Sequence, residues 1–548
     1  MNPNFKRAGV WIPVIIAITF CAGLWIGSRL FGGVQEDDVF AKVNRIMHYV
    51  SAEYVDDVNI DSLIEQSIPD MMAKLDPHSS YISASDFQSV NDELEGSFSG
   101  IGISFNMLTD TITVLEVISG GPSEKVGLMP GDRIITINDS LVAGQKWSNE
   151  RVIKNLRGPR DSKVKLGIKR ATSPDLLTYE VTRGDIPMTS IDASYMLDDQ
   201  TGYVKVNKFG RTTYAEFLNS LVDLRGKGAE RFVLDLRGNG GGFMEMAILM
   251  ANEFLPAGSP IVSTHGRIPS AESSTYADGT GAFQQAEVVI LLDEFSASAS
   301  EILAGAIQDN DRGLIVGRRS FGKGLVQRQI ELPDSSAIRL TTARYYTPSG
   351  RCIQKTYTPG KLESYGLEIA DRYNHGEGFS ADSVHLDKSQ TYYTIGGRTV
   401  YGGGGIMPDV YVPNDTSGIS TYYINVANAG LLQKYAFNYA DRHRAELKKA
   451  SGVKELMSML PSDDVILQDF ASFAQRTENI PPRWYYINLS RNLIVSQLKA
   501  LIARDALGTS AFYEVINGSD NSVRRAMEEF RNGTVHIPVT ANATKSDR

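Results

Sequence analysis

Between residues 202 and 346, apolar runs of strand length alternate with helical stretches, and nothing else in the chain restricts its fold as strongly. RFVLDL (residues 231–236) reads as a buried strand; a glycine loop follows at 238–242, then a helix over 243–255. Glu287–Leu292 is a second apolar strand, followed by a turn over 293–297 and a helix over 298–308. Leu314–Gly317 is a third strand. Repeated strand–loop–helix units predict a mainly parallel sheet, with chemistry at the carboxyl ends of its strands. The loops at 238–242 and 293–297 are therefore where a site belongs.

The flanking segments have other patterns. Val39, Val43, Ile46, Met47 and Val50 fall at helical spacing, and a second amphipathic stretch over 60–75 stops at Asp76 and Pro77. Residues 95–183 carry short alternating runs between turns at Gly120–Gly121 and Pro130–Gly131, as a β-rich domain would. Beyond the core, Val410–Tyr411 with the next two residues is expected to return a strand to the sheet. Helices are expected over 422–449, 464–476, 489–505 and 522–531, with a linker over 451–462.

At 548 residues the chain needs about three or four domains, because one core does not grow to this size. A net charge of −9 without a long basic block argues against a nucleic-acid partner. Lys6 and Arg7 precede an apolar run over 10–26 that is long enough to cross a bilayer, with Trp11 and Trp25 near its ends. No small-x-small site follows the run, and Phe20 before Cys21 disfavours a lipoprotein site. An uncleaved single-pass anchor is expected, with everything after about Arg29 outside the cytoplasm; a cleaved signal peptide is the competing reading. Cys21 and Cys352 are the two cysteines, so no intrachain disulfide is expected in the exported part. The seven histidines show no metal-ligand spacing, and neither metal nor cofactor is expected.

A serine hydroxyl attacks a carbonyl when a base takes its proton. Ser296, Ser298 and Ser300 all lie at the turn that opens a helix, and no histidine is near them in sequence. Lys323 stands 25 positions after Ser298, between Gly322 and Gly324. A desolvated lysine can act as the base; moving its pKa from about 10.4 to near 7 corresponds to roughly 4–5 kcal/mol. Gln327 would hold the amine through its side-chain oxygen. The amides of Ala299, at the helix start, and Gly241, in the glycine loop, would receive the developing oxyanion. The residues alone leave open which serine attacks. Glu301 reads as a solvated or salt-bridged helix residue, Asp235 and Arg237 as supports of the glycine loop, and His78 as a structural cap. Gly317, Gly322 and Lys323 have the spacing of a phosphate-binding loop, but Gly324 replaces the Ser or Thr that would hold Mg²⁺. A strand-like pattern follows where a helix should begin, so nucleotide binding is not expected.

GGPSEKVGLMPGDRIITIN (residues 120–138) resembles the core of a PDZ domain. On that likeness Gly100, Ile101, Gly102 and Ile103 form the loop whose amides receive a peptide carboxylate, with the tail adding alongside as a strand. The strings SASEILAG (298–305), FGKGLVQ (321–327), YYTPSGRCIQ (345–354) and LDPHSSYI (75–82) resemble the C-terminal processing peptidases, or tail-specific proteases. The likeness covers about residues 40–412. In that family the nucleophile stands three residues before the motif's glutamate and the lysine follows 25 later, which implies Ser298 and Lys323. DLRGNGGG (235–242) departs from the family's frequent Asn-Pro-Gly-Gly at Gly240.

The resemblance implies a multidomain α/β protein: stub and anchor at 1–33, helical module at 34–94, and PDZ-like domain at 95–184. A crotonase/Clp-like peptidase core at 185–415 and a helical C-terminal region of unassigned role at 416–548 complete it. The implied activity is that of a Ser–Lys endopeptidase acting near substrate C-termini, with the PDZ-like domain capturing a free, apolar tail and gating the site. The expected setting is the bacterial inner membrane, with the catalytic part in the periplasm; a homodimer through the C-terminal helices is an open expectation. The rival readings are a catalytically inactive envelope scaffold that binds tails, and a small-substrate esterase or amidase.

Overall fold

The computed structural model describes residues 17–20, 22, 38–107 and 110–535. The expected anchor falls mostly outside the described residues, and among them no helix is long and apolar enough to cross a membrane. The chain forms two compact units, residues 1–72 and 73–548. The first carries the helix Asp38–Glu53 and most of Ile60–Ala73, close to the spans that their apolar spacing predicts.

In the second unit a six-stranded sheet runs Ile191–Met196, Thr201–Val206, Arg231–Asp235, Glu287–Leu292, Leu314–Gly317 and Val410–Tyr411. The first pair is antiparallel and every later pair is parallel. The strands read as continuous apolar runs because both faces are covered. Phe232, Leu234, Val288 and Ile290 face the helices Thr213–Gly226, Met244–Asn252 and Ala299–Asp309. Tyr203, Val233, Val289 and Leu291 face the other way and meet Val523, Ala526 and Phe530. Those last three lie at helical spacing on Asn521–Asn532, so this helix closes the second face of the six-stranded sheet.

A second sheet joins Ser80–Ile82, Ala337–Tyr346, Pro260–Gly266 and Ser273–Tyr276, with Leu325–Glu331 also paired to Ala337–Tyr346. The strand Ser80–Ile82 is a departure from the expected all-helical N-terminal module. Three residues carry no local signal, and the partner is Ala337–Tyr346, more than 250 positions away. The β-rich domain hangs from a neck in which Ser97–Gly100 pairs antiparallel with Gly184–Pro187. Its own sheet ends on Ile103–Asn106, which is paired on one side by Ile112–Val117.

The expected C-terminal helices form, over Thr421–Asn428, Leu431–Arg442, Asp463–Glu478, Arg491–Leu507 and Asn521–Asn532. The single long helix expected at 422–449 is broken at Gly430, which takes a left-handed conformation (φ 65°). The segment 451–462 is not a linker: Val453–Met459 is a helix whose Leu456 is fully buried. Gly452 and Pro461 bracket a single helical turn or two, which composition alone does not distinguish from loop.

Candidate active site

Ser298 sits where the chain leaves Glu287–Leu292, turns, and enters the helix Ala299–Asp309. Its backbone has φ 57° and ψ −114°, outside the regions open to a residue with a side chain. Such strain costs on the order of 1–3 kcal/mol and persists where the surroundings over-determine it. Here they do. Asp293 Oδ1 accepts from the amides of Gly238 (2.9 Å) and Phe295 (3.1 Å), tying the turn to the glycine loop. The Asn239 carbonyl accepts from Ala297 N–H (3.0 Å) and Ser300 Oγ (2.9 Å), and Ser296 Oγ donates to the Leu236 carbonyl (2.9 Å). Ser296 and Ser300 are therefore fully buried and fastened to backbone, while Ser298 faces a cavity.

That cavity, of about 630 Å³, is lined by Ser298, Lys323, Gln327, Gly241, Arg339 and Tyr345, among others. No hydrogen bond joins Ser298 Oγ to Lys323 Nζ among the described residues. Burial lowers the pKa of the Lys323 amine and the nearby Arg339 cation lowers it further, while Glu301 and Asp76 pull it back up. Gln327 Nε2 donates to Thr341 Oγ1 (3.3 Å), which in turn donates to Asp76 Oδ1 (3.0 Å). This leaves the Gln327 carbonyl oxygen for another partner.

Glu301 is not the solvated helix residue that its position suggested. It is fully buried, and its Oε2 accepts from the amides of Ser298 (2.9 Å) and Lys323 (2.9 Å). Oε1 accepts from Gly322 N–H (2.7 Å) and from the hydroxyl of Ser320. Burial pushes this carboxyl's pKa above its ordinary value, against the pull of those four donors. One carboxylate thus fixes the backbone of both residues of the expected dyad. Gly322 is required beside it, because at φ 90° a Cβ would lie 3.0 Å from Gly405 N and 3.1 Å from Lys355 Cβ.

The glycine loop packs closely against the serine turn. A Cβ on Gly241 (φ 101°) would stand 2.8 Å from Ser298 Cβ and 3.0 Å from Ala299 N. The Gly241 amide itself donates to Asn239 Oδ1 (2.9 Å), so in this arrangement it points at the loop and not into the cavity. Asn239, fully buried, also donates to the Val206 carbonyl (3.0 Å). Behind the loop, burial works to raise the pKa of the Asp235 carboxyl, yet Arg237 and Lys205 hold it well below the usual range. The support expected of Asp235 and Arg237 is therefore an ion pair with bonds of 2.6–3.1 Å.

Asp76, not His78, makes the cap at the start of the short strand. Its carboxylate accepts from the amides of His78 (2.8 Å) and Ser79 (2.9 Å) and from Ser79 Oγ (2.5 Å). The His78 ring lies edge-on to Tyr365 with Nε2 2.9 Å from its hydroxyl. Burial, with the Lys323 charge behind it, lowers the His78 pKa to about 4, so the ring is neutral at pH 7. Asp76, Thr341, Asn239 and Glu301 are the site residues that sequence reasoning missed or misjudged; Thr341 meets Asp76 across 265 positions and Glu301 reaches the amides of Gly322 and Lys323 across 21 and 22, separations over which no local pattern runs.

Gly102, Ile103 and Ile101 line a second cavity, of about 310 Å³, between the strand Ile103–Asn106 and the helix Asn149–Leu156. Phe98, Phe105 and Ile153 make its wall apolar, and Arg157 stands at its rim over the Phe98 ring (4.0 Å). Gly100 is paired to Gly184 in the neck and does not line it. An apolar groove beside a strand that, among the described residues, pairs with another strand on one side can take an extended chain by strand addition.

Comparison with known proteins places these two cavities in separate families. A PDZ-domain model matches residues 99–181, peptidase family S41 matches 200–361, and a family of unknown function matches 422–508. The chain is 34% identical over 350 residues to a carboxy-terminal-processing protease of Bartonella bacilliformis, covering 62% of this chain and 80% of that one. It is 33% identical over 355 residues to the carboxy-terminal processing protease CtpB of Bacillus subtilis, covering 64% and 71%. Among solved structures, a photosystem II D1 C-terminal processing protease aligns at 26% identity over 67% of this chain and 91% of that one, with a TM-score of 0.33. The PDZ domain of a carboxy-terminal protease from Vibrio cholerae, solved with a peptide, aligns at 28% identity over 17% of this chain and 99% of that one (TM-score 0.16).

Proposed function

Since the chain belongs to the carboxy-terminal processing proteases of peptidase family S41, with a PDZ domain, we propose that it is a Ser–Lys endopeptidase that captures a protein's C-terminal tail and cleaves near it. The observation that carries this reading is a strained Ser298 at a helix N-terminus sharing a cavity with a desolvated lysine.

In the forward step neutral Lys323 takes the Ser298 proton as Oγ bonds to the scissile carbonyl carbon. The carbonyl oxygen, now negative, meets the Ala299 amide, one of the first-turn amides that a helix leaves without an internal partner. The C–N bond then breaks and the Lys323 ammonium returns its proton to the departing amine. Water, deprotonated by the neutral Lys323 amine, then bonds to the acyl carbon; the C–Oγ bond breaks, the Lys323 ammonium returns the proton to Ser298 Oγ, and the acyl group leaves as a new C-terminus. Gln327 holds the amine through the oxygen that the Thr341 contact leaves free. Two movements are required: Oγ and Nζ must come within hydrogen-bond reach, and Gly241 must release Asn239 if its amide is to serve as the second donor. Tail capture by the PDZ domain is the proposed trigger for both.

The segment 10–26, with Lys6 and Arg7 before it, supports an envelope setting in which the catalytic part faces the periplasm. The test is degradation of an unstructured protein with an apolar C-terminus. Ser298→Ala and Lys323→Ala should each lose at least about 10³-fold in kcat while remaining folded. Undiminished turnover by either variant would remove that residue from the mechanism. Tail binding without turnover by the wild type would favour the scaffold reading.

A further inference from the structure

The described chain ends in a helix, Asn521–Asn532, that no family with a stated activity covers. This helix is nonetheless bonded to the loop beside Ser298. Asp520 caps it, Oδ1 accepting from Val523 N–H at 2.9 Å. The other oxygen, Oδ2, accepts from Arg237 Nη1 at 2.8 Å. Arg237 is the residue immediately before the glycine loop, and its remaining donors, Nε and Nη2, are on Asp235.

We propose that Asp520 is a positioning residue for the peptidase site, holding the glycine loop against Ser298 through Arg237; this rests on the peptidase reading above. The connection is continuous. After Arg237, Gly238 N–H is on Asp293 in the turn that delivers Ser298, and the Asn239 carbonyl takes Ala297 N–H and Ser300 Oγ. The helix that carries Asp520 does not yield easily, because Val523, Ala526 and Phe530 are seated on Val233, Val289 and Leu291 of the sheet. Capping alone asks for one side-chain oxygen, which Ser or Asn supplies as well as Asp. The contact with Arg237 asks for a carboxylate: Asp235 and Asp520 together balance Lys205 and Arg237, and losing one partner leaves a largely buried guanidinium with an excess of positive charge.

The cap and the clamp can be separated. Asp520→Ser in the full chain keeps the helix cap and removes the ion pair. It should lower kcat about tenfold or more with KM within about twofold, and slow the labelling of Ser298 by a fluorophosphonate in proportion. Backbone amide exchange of residues 237–243 should quicken, and Asp520→Glu should recover most of the loss. Unchanged kcat and unchanged loop exchange in a folded Ser variant would overturn the proposal. So would a Ser variant whose thermal stability collapses together with kcat, since Asp520 would then serve the fold at large. A wild type that neither turns over nor labels, combined with faster loop exchange in the variant, would uphold the clamp while removing the peptidase reading.

Discussion

Replacing Glu301 by Gln would turn one acceptor oxygen into an NH₂ group facing donors that are already buried. The amides of Ser298, Gly322 and Lys323 and the Ser320 hydroxyl share two oxygens, so the variant must leave at least one donor unmet or push the lysine loop away. A displacement of about 1 Å between serine and lysine costs around 10²-fold in kcat, which steady-state kinetics on Glu301→Gln should show, together with a lower melting temperature. The base itself is tested by pH. The proposed mechanism requires neutral Lys323, so kcat/KM should rise with pH to a plateau, with a midpoint below the free-amine value of 10.5 because burial and Arg339 disfavour the charged form. Arg339→Gln removes the repelling cation and should move that rise to higher pH. A midpoint that stays in place would mean that desolvation alone sets it. Glu301 and Asp76, which face the same amine with the opposite effect, remain in both proteins.

At the scale of elements, two loops and one helix start have to meet, and the glycine loop sets the tolerance. Gly241→Ala would place a methyl 2.8 Å from the Ala297 carbonyl and from Ser298 Cβ, at a φ of 101° that L-residues avoid. The loop must then retreat from the nucleophile, and kcat should fall by about 10²-fold or more. Gly240→Ala meets nothing within 4 Å and should lose far less; equal losses at both positions would mean that loop flexibility, not close approach, is what matters. Most of this arrangement was legible as pattern. The strand–loop–helix order, the glycine loop and the serine turn lie within about 110 residues of each other and follow local periodicity. The three-residue strand Ser80–Ile82 and the helix Val453–Met459 were not legible. The first is defined by its partner in Ala337–Tyr346, and the second by burial of Leu456 in a bundle assembled from distant helices.

For the whole molecule, the proposed function requires a tail bound in the PDZ groove to reach Ser298. The paired strands Ser97–Gly100 and Gly184–Pro187 are the neck between the two cavities, and helix Ala84–Glu95, which leads into it, contributes Val90 to the cavity at Ser298. An Asp at Ile153, a partly exposed wall of the groove, would repel both an apolar terminal side chain and its carboxylate. Ile153→Asp should raise KM for tail-bearing proteins about tenfold or more and lower kcat as the trigger is lost, while short peptides that do not occupy the groove should be cut slowly and to the same extent by both proteins. Equal loss on both substrates would make the groove part of catalysis and not of capture. A second tie crosses from the PDZ domain to the C-terminal helices, where Arg133 Nη2 donates to Asp441 Oδ2 at 2.6 Å and Arg444 packs against Gly131. The helical region is thus fastened both to the PDZ domain and, through Asp520, to the peptidase loop.

By itself the sequence determined the classes of element, the order of the domains and the residues able to do chemistry, because periodicity, turn residues and motif spacing act over a few to a few tens of positions. The tertiary structure alone decided which groups touch. It buried Ser296 and Ser300 against loop carbonyls and left Ser298 on the cavity. It turned Glu301 from a surface residue into the acceptor that joins serine and lysine loops, and brought Asp76 and Asp520 to the site from opposite ends of the chain. The reason is physical: a buried hydrogen bond or ion pair is specified by its partner's position, and apart from Ser298 N–H, three residues from Glu301, these partners stand from 22 to 283 residues apart.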